Sequence, residues 1–129
     1  MSETSNLPGW AAVIDWFGYS PNFHDAEVIS IDLRRDPEES KVRVHAWRRN
    51  RDVTDQGYFR CDRHALVTFT IKGIRSLKLA GWNHQNVLSS LWAGQTDGGY
   101  VLELPEIYGV DGEIAAVDIS VSIEPFNVS

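Results

Sequence analysis

The spacing of apolar residues changes along the chain between a helical and an extended period, and this change predicts the secondary structure. From Leu7 to Gly18, apolar side chains recur three and four positions apart, which predicts an amphipathic helix that packs on a sheet. Pro8 suits the first turn of this helix. The apolar face of the helix is formed by Trp10, Val13, Ile14 and Phe17.

Alternating apolar and polar residues predict strands over much of the remaining chain. We expect the first two strands to form an antiparallel hairpin, the polar segment from Asn50 to Gly57 to be a loop, and Gly73 to interrupt the third apolar run. In the first strand, Ile29, Ile31 and Leu33 are expected to share the inner face. The predicted strands run from Glu27 to Arg34, Lys41 to Arg49, Tyr58 to Ile71, Ile74 to Ala80, Tyr100 to Leu104 and Glu113 to Glu124.

A second helix is predicted from His84 to Trp92, where Asn83 suits the N-cap position. Asp111-Gly112 predicts a two-residue turn before the last strand. These elements predict a single α+β domain over residues 1–129, an antiparallel sheet of about six strands with two short helices. We expect the polar residues 1–6 to be disordered.

Composition places the chain among ordinary cytoplasmic proteins. The chain has 129 residues, of which 43% are hydrophobic and 23% are charged. A chain of this length and composition can bury a core without disulfide bonds or metal ions to stabilise it. A single cysteine, Cys61, cannot form an internal disulfide, and although Arg60 and Arg63 flank it, it has no committed base and is a weak candidate nucleophile. The N-terminus does not have the pattern of a signal segment, and no apolar run reaches the roughly 20 residues of a membrane span. We therefore expect neither export nor a membrane span.

Charge is unevenly distributed along the chain, whose formal net charge is −6. From Leu79 to Ser129 there are seven acidic residues and neither Lys nor Arg. From Arg34 to Arg63, nine basic residues outnumber six acidic ones. Such a field suits steering toward a basic partner at the acidic end, although solvated strand faces can also be acidic without a partner.

The segment from Ser20 to Glu27 places His24, Asp25 and Glu27 where a turn becomes a strand. Imidazole and carboxylate groups suit a divalent metal or acid–base chemistry. On a regular strand, however, Asp25 and Glu27 share a face that His24 does not. We therefore favour a structural role in the turn, with metal or ligand binding as the alternative.

Two other groups of residues could carry a function. Arg43, Trp47 and Arg49 lie on one face of the second strand, together with His45, where they could stack bases or form a protein-binding surface. The negative net charge argues against nucleic acid. The amides of Asn83, Gln85 and Asn86 are expected to cap a helix and tie down the preceding turn.

Several strings of the chain resemble the immunity protein 50 family of bacterial polymorphic toxin systems. Phe23-His24-Asp25-Ala26-Glu27 after a first helix, and Asn83-His84-Gln85-Asn86 further on, are fairly specific together. The resemblance continues through Val67-Thr68-Phe69 to the segment from Ile119 to Pro125. It implies a mainly β-rich inhibitor that neutralises a cognate toxin in the cytoplasm. It implies no catalytic residue, and it carries no binding site with it. We also expect no metal and no cofactor.

The leading hypothesis is a non-enzymatic immunity protein that binds and occludes a toxin domain. The acidic C-terminal half favours a basic toxin of the nuclease type. Its interface is expected to include Glu103, Glu106, Asp111 and Glu113. The alternative is a small metal- or ligand-binding protein or enzyme that uses His24, Asp25 and Glu27. Edge strands and five tryptophans are compatible with a homodimer.

Overall fold

One antiparallel sheet and one helix make up the described part of the chain. The computed structural model describes residues 7–53 and 59–126, with side chains described for 7–48 and 63–126. Helix α1 spans Trp10–Phe17. The strands are β1 (Glu27–Asp32), β2 (Ser40–Val53), β3 (Phe59–Ala80), β4 (Val87–Leu88), β5 (Trp92–Thr96), β6 (Gly99–Leu104), β7 (Glu106–Tyr108) and β8 (Asp111–Pro125).

The eight strands form a single sheet in the order β5-β6-β8-β3-β2-β1-β4-β7, with antiparallel pairing throughout. The fold is therefore mostly β, and the prediction of six strands and two helices was wrong in both numbers. The predicted hairpin of β1 and β2 is confirmed. The expectation for residues 1–6 lies outside the described residues.

The order of the strands requires the sheet to curl. Strands β6 and β7 lie second and last in the sheet, yet only Pro105 separates them in the chain. Because consecutive Cα atoms are about 3.8 Å apart, the Cα atoms of Leu104 and Glu106 lie within roughly 7.6 Å of each other. The far edge of the sheet thus returns towards β6, and the buried apolar residues form one core cluster.

Helix α1 covers part of the sheet, as its apolar spacing predicted. Trp10, Val13 and Phe17 are buried, and the helix packs mainly against β8. The Pro8 carbonyl accepts a hydrogen bond of 2.9 Å from the backbone N–H of Val121, which fixes the start of the helix on that strand. Gly18 ends the helix in a left-handed conformation.

The segment predicted as a second helix is not helical and contains a short strand instead. Val87–Leu88 forms β4, which pairs with β1 on one side and β7 on the other. A short apolar run fits a helix or a buried strand equally well, and here the strand pairing decides. Asn83 does not cap a helix; its Oδ1 accepts a hydrogen bond of 2.7 Å from the N–H of Gln85 in a tight turn.

The predicted interruption at Gly73 is wrong, and the predicted loop from Asn50 to Gly57 is wrong for residues 50–53. Strand β3 continues through Gly73, which adopts a positive φ of 66°, and the pairing with β8 shifts register between Ile74 and Ser76. At the predicted loop from Asn50 to Gly57, β2 extends to Val53, which pairs with Phe59. Residues 54–57 of that predicted loop, and residue 58 of the predicted strand after it, lie outside the described residues.

The predicted turn at Asp111-Gly112 lies inside β8. Gly112 pairs with Leu79 on one side and Leu104 on the other. The same Asp-Gly signal does form a two-residue turn at Asp97-Gly98, between β5 and β6. The Asp-Gly dipeptide thus occurs twice, and the two-residue turn forms at the first occurrence and not at the second, where it was predicted.

Two strands change which face is buried. A bulge in β1 between Val28 and Ser30 brings Val28 and Ile31 to the inner face and leaves Ile29 exposed, against the predicted alternation. Leu33, just beyond β1, is exposed as well. In β8 the alternation also changes phase, close to the Gly73 irregularity of its partner, and the buried residues of β8 are Ile114, Ala116, Ile119 and Val121.

In the part of the chain that the structure describes, the single helix is too short to cross a membrane.

Candidate functional site

The turn before β1 is held in an unusual backbone conformation. Phe23 and Asp25 have positive φ angles of 64° and 68°, a region that residues with a side chain rarely occupy. The Asn22 side chain accepts a hydrogen bond of 3.0 Å from the backbone N–H of His24, and the Phe23 carbonyl accepts one of the same length from Ala26. These bonds stabilise a turn that the local sequence would otherwise disfavour.

Phe23 anchors this turn in the core. Its ring is buried and lies 6.1 Å from the ring of Trp10 and 6.2 Å from that of Phe69, measured between centroids. The tilted and edge-on arrangements are those that aromatic pairs prefer. The turn is therefore packed between α1 and the sheet.

The two strings that the sequence singled out meet in space. The backbone N–H of Asp25 donates to the carbonyl of Leu88 at 2.9 Å, and Leu88 donates in return to Ala26 at 2.9 Å. The N–H of Val28 donates to the carbonyl of Asn86 at 2.8 Å. Turn 22–26 and segment 83–91 thus form one hydrogen-bonded unit, which we call the motif junction.

Asn86 is the centre of the motif junction. Its buried side chain accepts hydrogen bonds at Oδ1 from the N–H groups of Asn83, at 3.1 Å, and Val110, at 2.9 Å. Its Nδ2 donates to the carbonyl of Asn83 at 2.9 Å. One amide therefore connects the turn before β4 to the chain entering β8. Gln85, in contrast, is exposed.

His24, Asp25 and Glu27 do not converge on one point. His24 Nδ1 lies 2.9 Å from the carbonyl oxygen of Ser89, and its Nε2 lies 3.5 Å from Asp25 Oδ1. Glu27 lies in β1 opposite His45. Among the described residues, no group of three or more His, Cys, Asp or Glu side chains could hold a metal ion.

The four acidic residues expected at an interface fall into two places. Glu103 and Glu113 lie directly opposite each other on β6 and β8, and Asp111 lies two residues from Glu113. Facing carboxylates destabilise a sheet slightly unless a cation lies close, and Lys78 is opposite Glu113 on β3. Glu106 lies apart on β7, where it pairs with Leu88.

The basic and aromatic stripe of β2 is partly occupied within the protein. Arg43 donates a hydrogen bond of 3.4 Å to the Ser30 hydroxyl. Trp47 is half-buried, with its ring 5.0 Å from that of His45. Together with the turn before β1, Trp47 lines a cavity of about 260 Å³. The side chains of Arg49 and Cys61 lie outside the described part of the chain.

A histidine pair on this face was missed by sequence reasoning. His45 Nε2 lies 3.0 Å from His64 Nδ1, and the His45 ring is also 4.4 Å from that of Phe126. Burial lowers the pKa of His45, and the neighbouring His64 lowers it further, whereas Glu27 acts in the opposite direction. The two histidines are nineteen positions apart in the chain, so only the β2–β3 register could have indicated their contact.

An apolar groove was missed as well. It lies where the ends of β1 and β3 approach each other, has a volume of about 420 Å³, and includes the exposed side chains of Leu33 and Trp82. The surplus of tryptophans was the available signal. The groove is lined by Ile31, Leu33, Leu79, Ala80, Gly81, Trp82 and Val110.

Comparison with known families adds an independent finding. The family described as Immunity protein 50 matches residues 9–125, which include the motif junction, the acidic residues and the groove. No curated protein and no solved structure matches the chain.

Proposed function

Because the chain belongs to the Immunity protein 50 family, and is thus an immunity protein of a toxin system, we propose that it binds and occludes a cognate toxin domain in the cytoplasm without chemistry of its own. The observation that carries this proposal is the family match, which extends over residues 9–125 of the 129. The toxin would belong to a polymorphic toxin system.

The motif junction serves, in this proposal, as the structural support of the inhibitor. The His24 ring and the Asn86 amide are both engaged with backbone groups of neighbouring segments. Phe23 is enclosed by aromatic rings. Residues committed in this way to the protein's own backbone and core support a rigid surface, and a rigid surface lowers the entropic cost of binding.

The acidic residues supply the attraction in this proposal. Glu103 and Glu113 face each other across two strands, with Asp111 close by, and together they concentrate negative charge on one part of the sheet. Such a patch would steer a basic toxin domain, as a nuclease would be, into the correct orientation. Glu106 would extend the acidic surface at β7.

Affinity purification of a tagged chain co-expressed with the toxin domain encoded by the neighbouring gene tests the proposal. To keep the cells alive, the toxin domain carries an inactivating substitution. We expect a stable stoichiometric complex that survives size-exclusion chromatography. A toxin domain that remains unbound, while both proteins are soluble and folded, would overturn the proposed binding.

Charge reversal tests the acidic surface separately. The double variant Asp111→Lys and Glu113→Lys should slow association with the toxin domain by about tenfold at low salt, because steering depends on unscreened charge. The loss should shrink as ionic strength rises, which stopped-flow or surface plasmon resonance would measure. Glu124→Lys is the matched control, since Glu124 is an exposed acid on the same strand far from the patch. Equal association rates for all three proteins would remove the patch from the interface.

A further inference from the structure

The apolar groove exposes the largest apolar side chain on the described surface. Trp82 is 52% exposed and Leu33 is 44% exposed, and both line the groove. Leaving so much aromatic surface in water is unfavourable, because a tryptophan buries roughly 150–250 Å² when it is packed. Tryptophan is also enriched among the residues that dominate binding energy at protein interfaces.

The backbone fixes Trp82 in this position. The preceding residue, Gly81, has a positive φ of 78° and packs so closely against the carbonyl of Gly109 that a Cβ atom there would clash. Gly81 therefore couples the loop after β3 to the chain between β7 and β8. The indole is presented by a constrained loop, so little conformational entropy would be lost when a partner covers it.

The groove opens directly onto the acidic patch. A second, shallower groove shares Leu79 and Ala80 with the first and is otherwise lined by Lys78, Asp111, Gly112 and Glu113. Asp111 pairs with Ala80 across the two strands, so its carboxylate lies at the boundary between apolar and acidic surface. The complementary partner surface has an apolar side chain flanked by Lys or Arg.

We propose that this groove is the anchor site for the toxin domain, which inserts an apolar or aromatic side chain between Trp82 and Leu33 and places a basic residue over Asp111. The inference rests on the proposed function, since it assigns the surface through which the chain binds its toxin. Trp82 contributes most of the affinity, and the acidic patch contributes mainly to the association rate.

Truncation of the groove residues tests the assignment, with the inactivated toxin domain encoded by the neighbouring gene as the probe. Trp82→Ala should weaken the equilibrium affinity by about 30-fold or more, as for a hot-spot residue, mainly through faster dissociation. Leu33→Ala should weaken it by about fivefold. Ile29→Ala is the matched control, because Ile29 is also 44% exposed and lies on β1 outside the groove; its affinity should stay within about twofold of the wild type.

The outcomes separate the inference from the proposed function. If the wild-type chain binds the toxin domain and Trp82→Ala binds it equally well, the groove is not the anchor site, although the chain is still an inhibitor. If the wild-type chain does not bind, both the proposed function and the groove assignment fail. Because all three substituted residues are exposed, unchanged circular dichroism and melting temperature would show that a lost affinity is not a loss of folding.

A second copy of the chain is the other conceivable occupant, and sedimentation of the chain alone distinguishes it. We expect a monomer whose sedimentation is the same for wild type and Trp82→Ala. A wild-type dimer that dissociates in Trp82→Ala would show that the groove holds another copy of the chain, and it would overturn the toxin assignment.

Discussion

The side chain of Asn86 should contribute more to folding than any surface amide nearby, and Asn86→Ala tests this. The substitution removes the acceptor of the N–H groups of Asn83 and Val110, and the donor to the carbonyl of Asn83. Val110 is buried, so no water replaces the lost acceptor there. Asn83 is half-buried, so its groups keep part of their hydration.

The expected loss of stability follows from these three bonds. A buried N–H group left without an acceptor costs about 1–3 kcal/mol, and the two partly solvated groups of Asn83 together add roughly 1 kcal/mol. Asn86→Ala should therefore lower the free energy of unfolding by about 2–4 kcal/mol. That is a large share of the roughly 5–15 kcal/mol by which a domain is stable.

Urea denaturation monitored by tryptophan fluorescence measures this difference. With an m value of about 2 kcal/mol/M, the midpoint should fall by roughly 1–2 M. Gln85→Ala is the matched control, because Gln85 is an exposed amide in the same turn, and its effect should stay within about 0.5 kcal/mol. If Asn86→Ala costs less than about 1 kcal/mol, or no more than Gln85→Ala, Asn86 does not hold the motif junction together.

Two further predictions concern stability. Phe23→Ala removes a ring packed against Trp10 and Phe69 and should lower the free energy of unfolding by about 3–5 kcal/mol, measured by the same denaturation; a loss below about 1 kcal/mol would show that the turn is not anchored in the core. Because the pKa of His45 is lower in the folded protein, the unfolded chain binds the proton more readily, and stability should fall as the pH drops below about 6.5. His45→Gln should flatten this decline between pH 7.5 and pH 5; a decline as steep as that of the wild type would contradict the assignment.

Local sequence predicted those elements that depend on local periodicity. The spacing of Trp10, Val13 and Phe17 correctly gave the helix and its buried face. Val87–Leu88 has the same apolar character but forms a strand, because its pairing partners in β1 and β7 are distant in sequence. Ile29 was assigned to the core because the bulge beside it cannot be recognised from alternation alone.

The candidate sites show the same division. The residues around His24 and Asn86 could be singled out from the sequence. The sequence did not indicate that the N–H of Val28 donates to the carbonyl of Asn86 and so joins the two strings. The groove depends on Leu33 and Trp82, which are far apart in the chain and line the same groove in the fold. Which side chains are buried, which charges face each other and where grooves form all depend on how the strands pair. The residue-by-residue pairing of the strands was not predicted from the sequence.

Growth rescue is the most direct test of the central claim, that this chain neutralises a toxin by binding it. The active toxin domain encoded by the neighbouring gene would be induced in bacteria with and without this chain, and the surviving colonies counted. The proposed function predicts that growth stops without the chain and is restored when the chain is co-expressed. Cells that still die while the chain accumulates in soluble, folded form would contradict the claim.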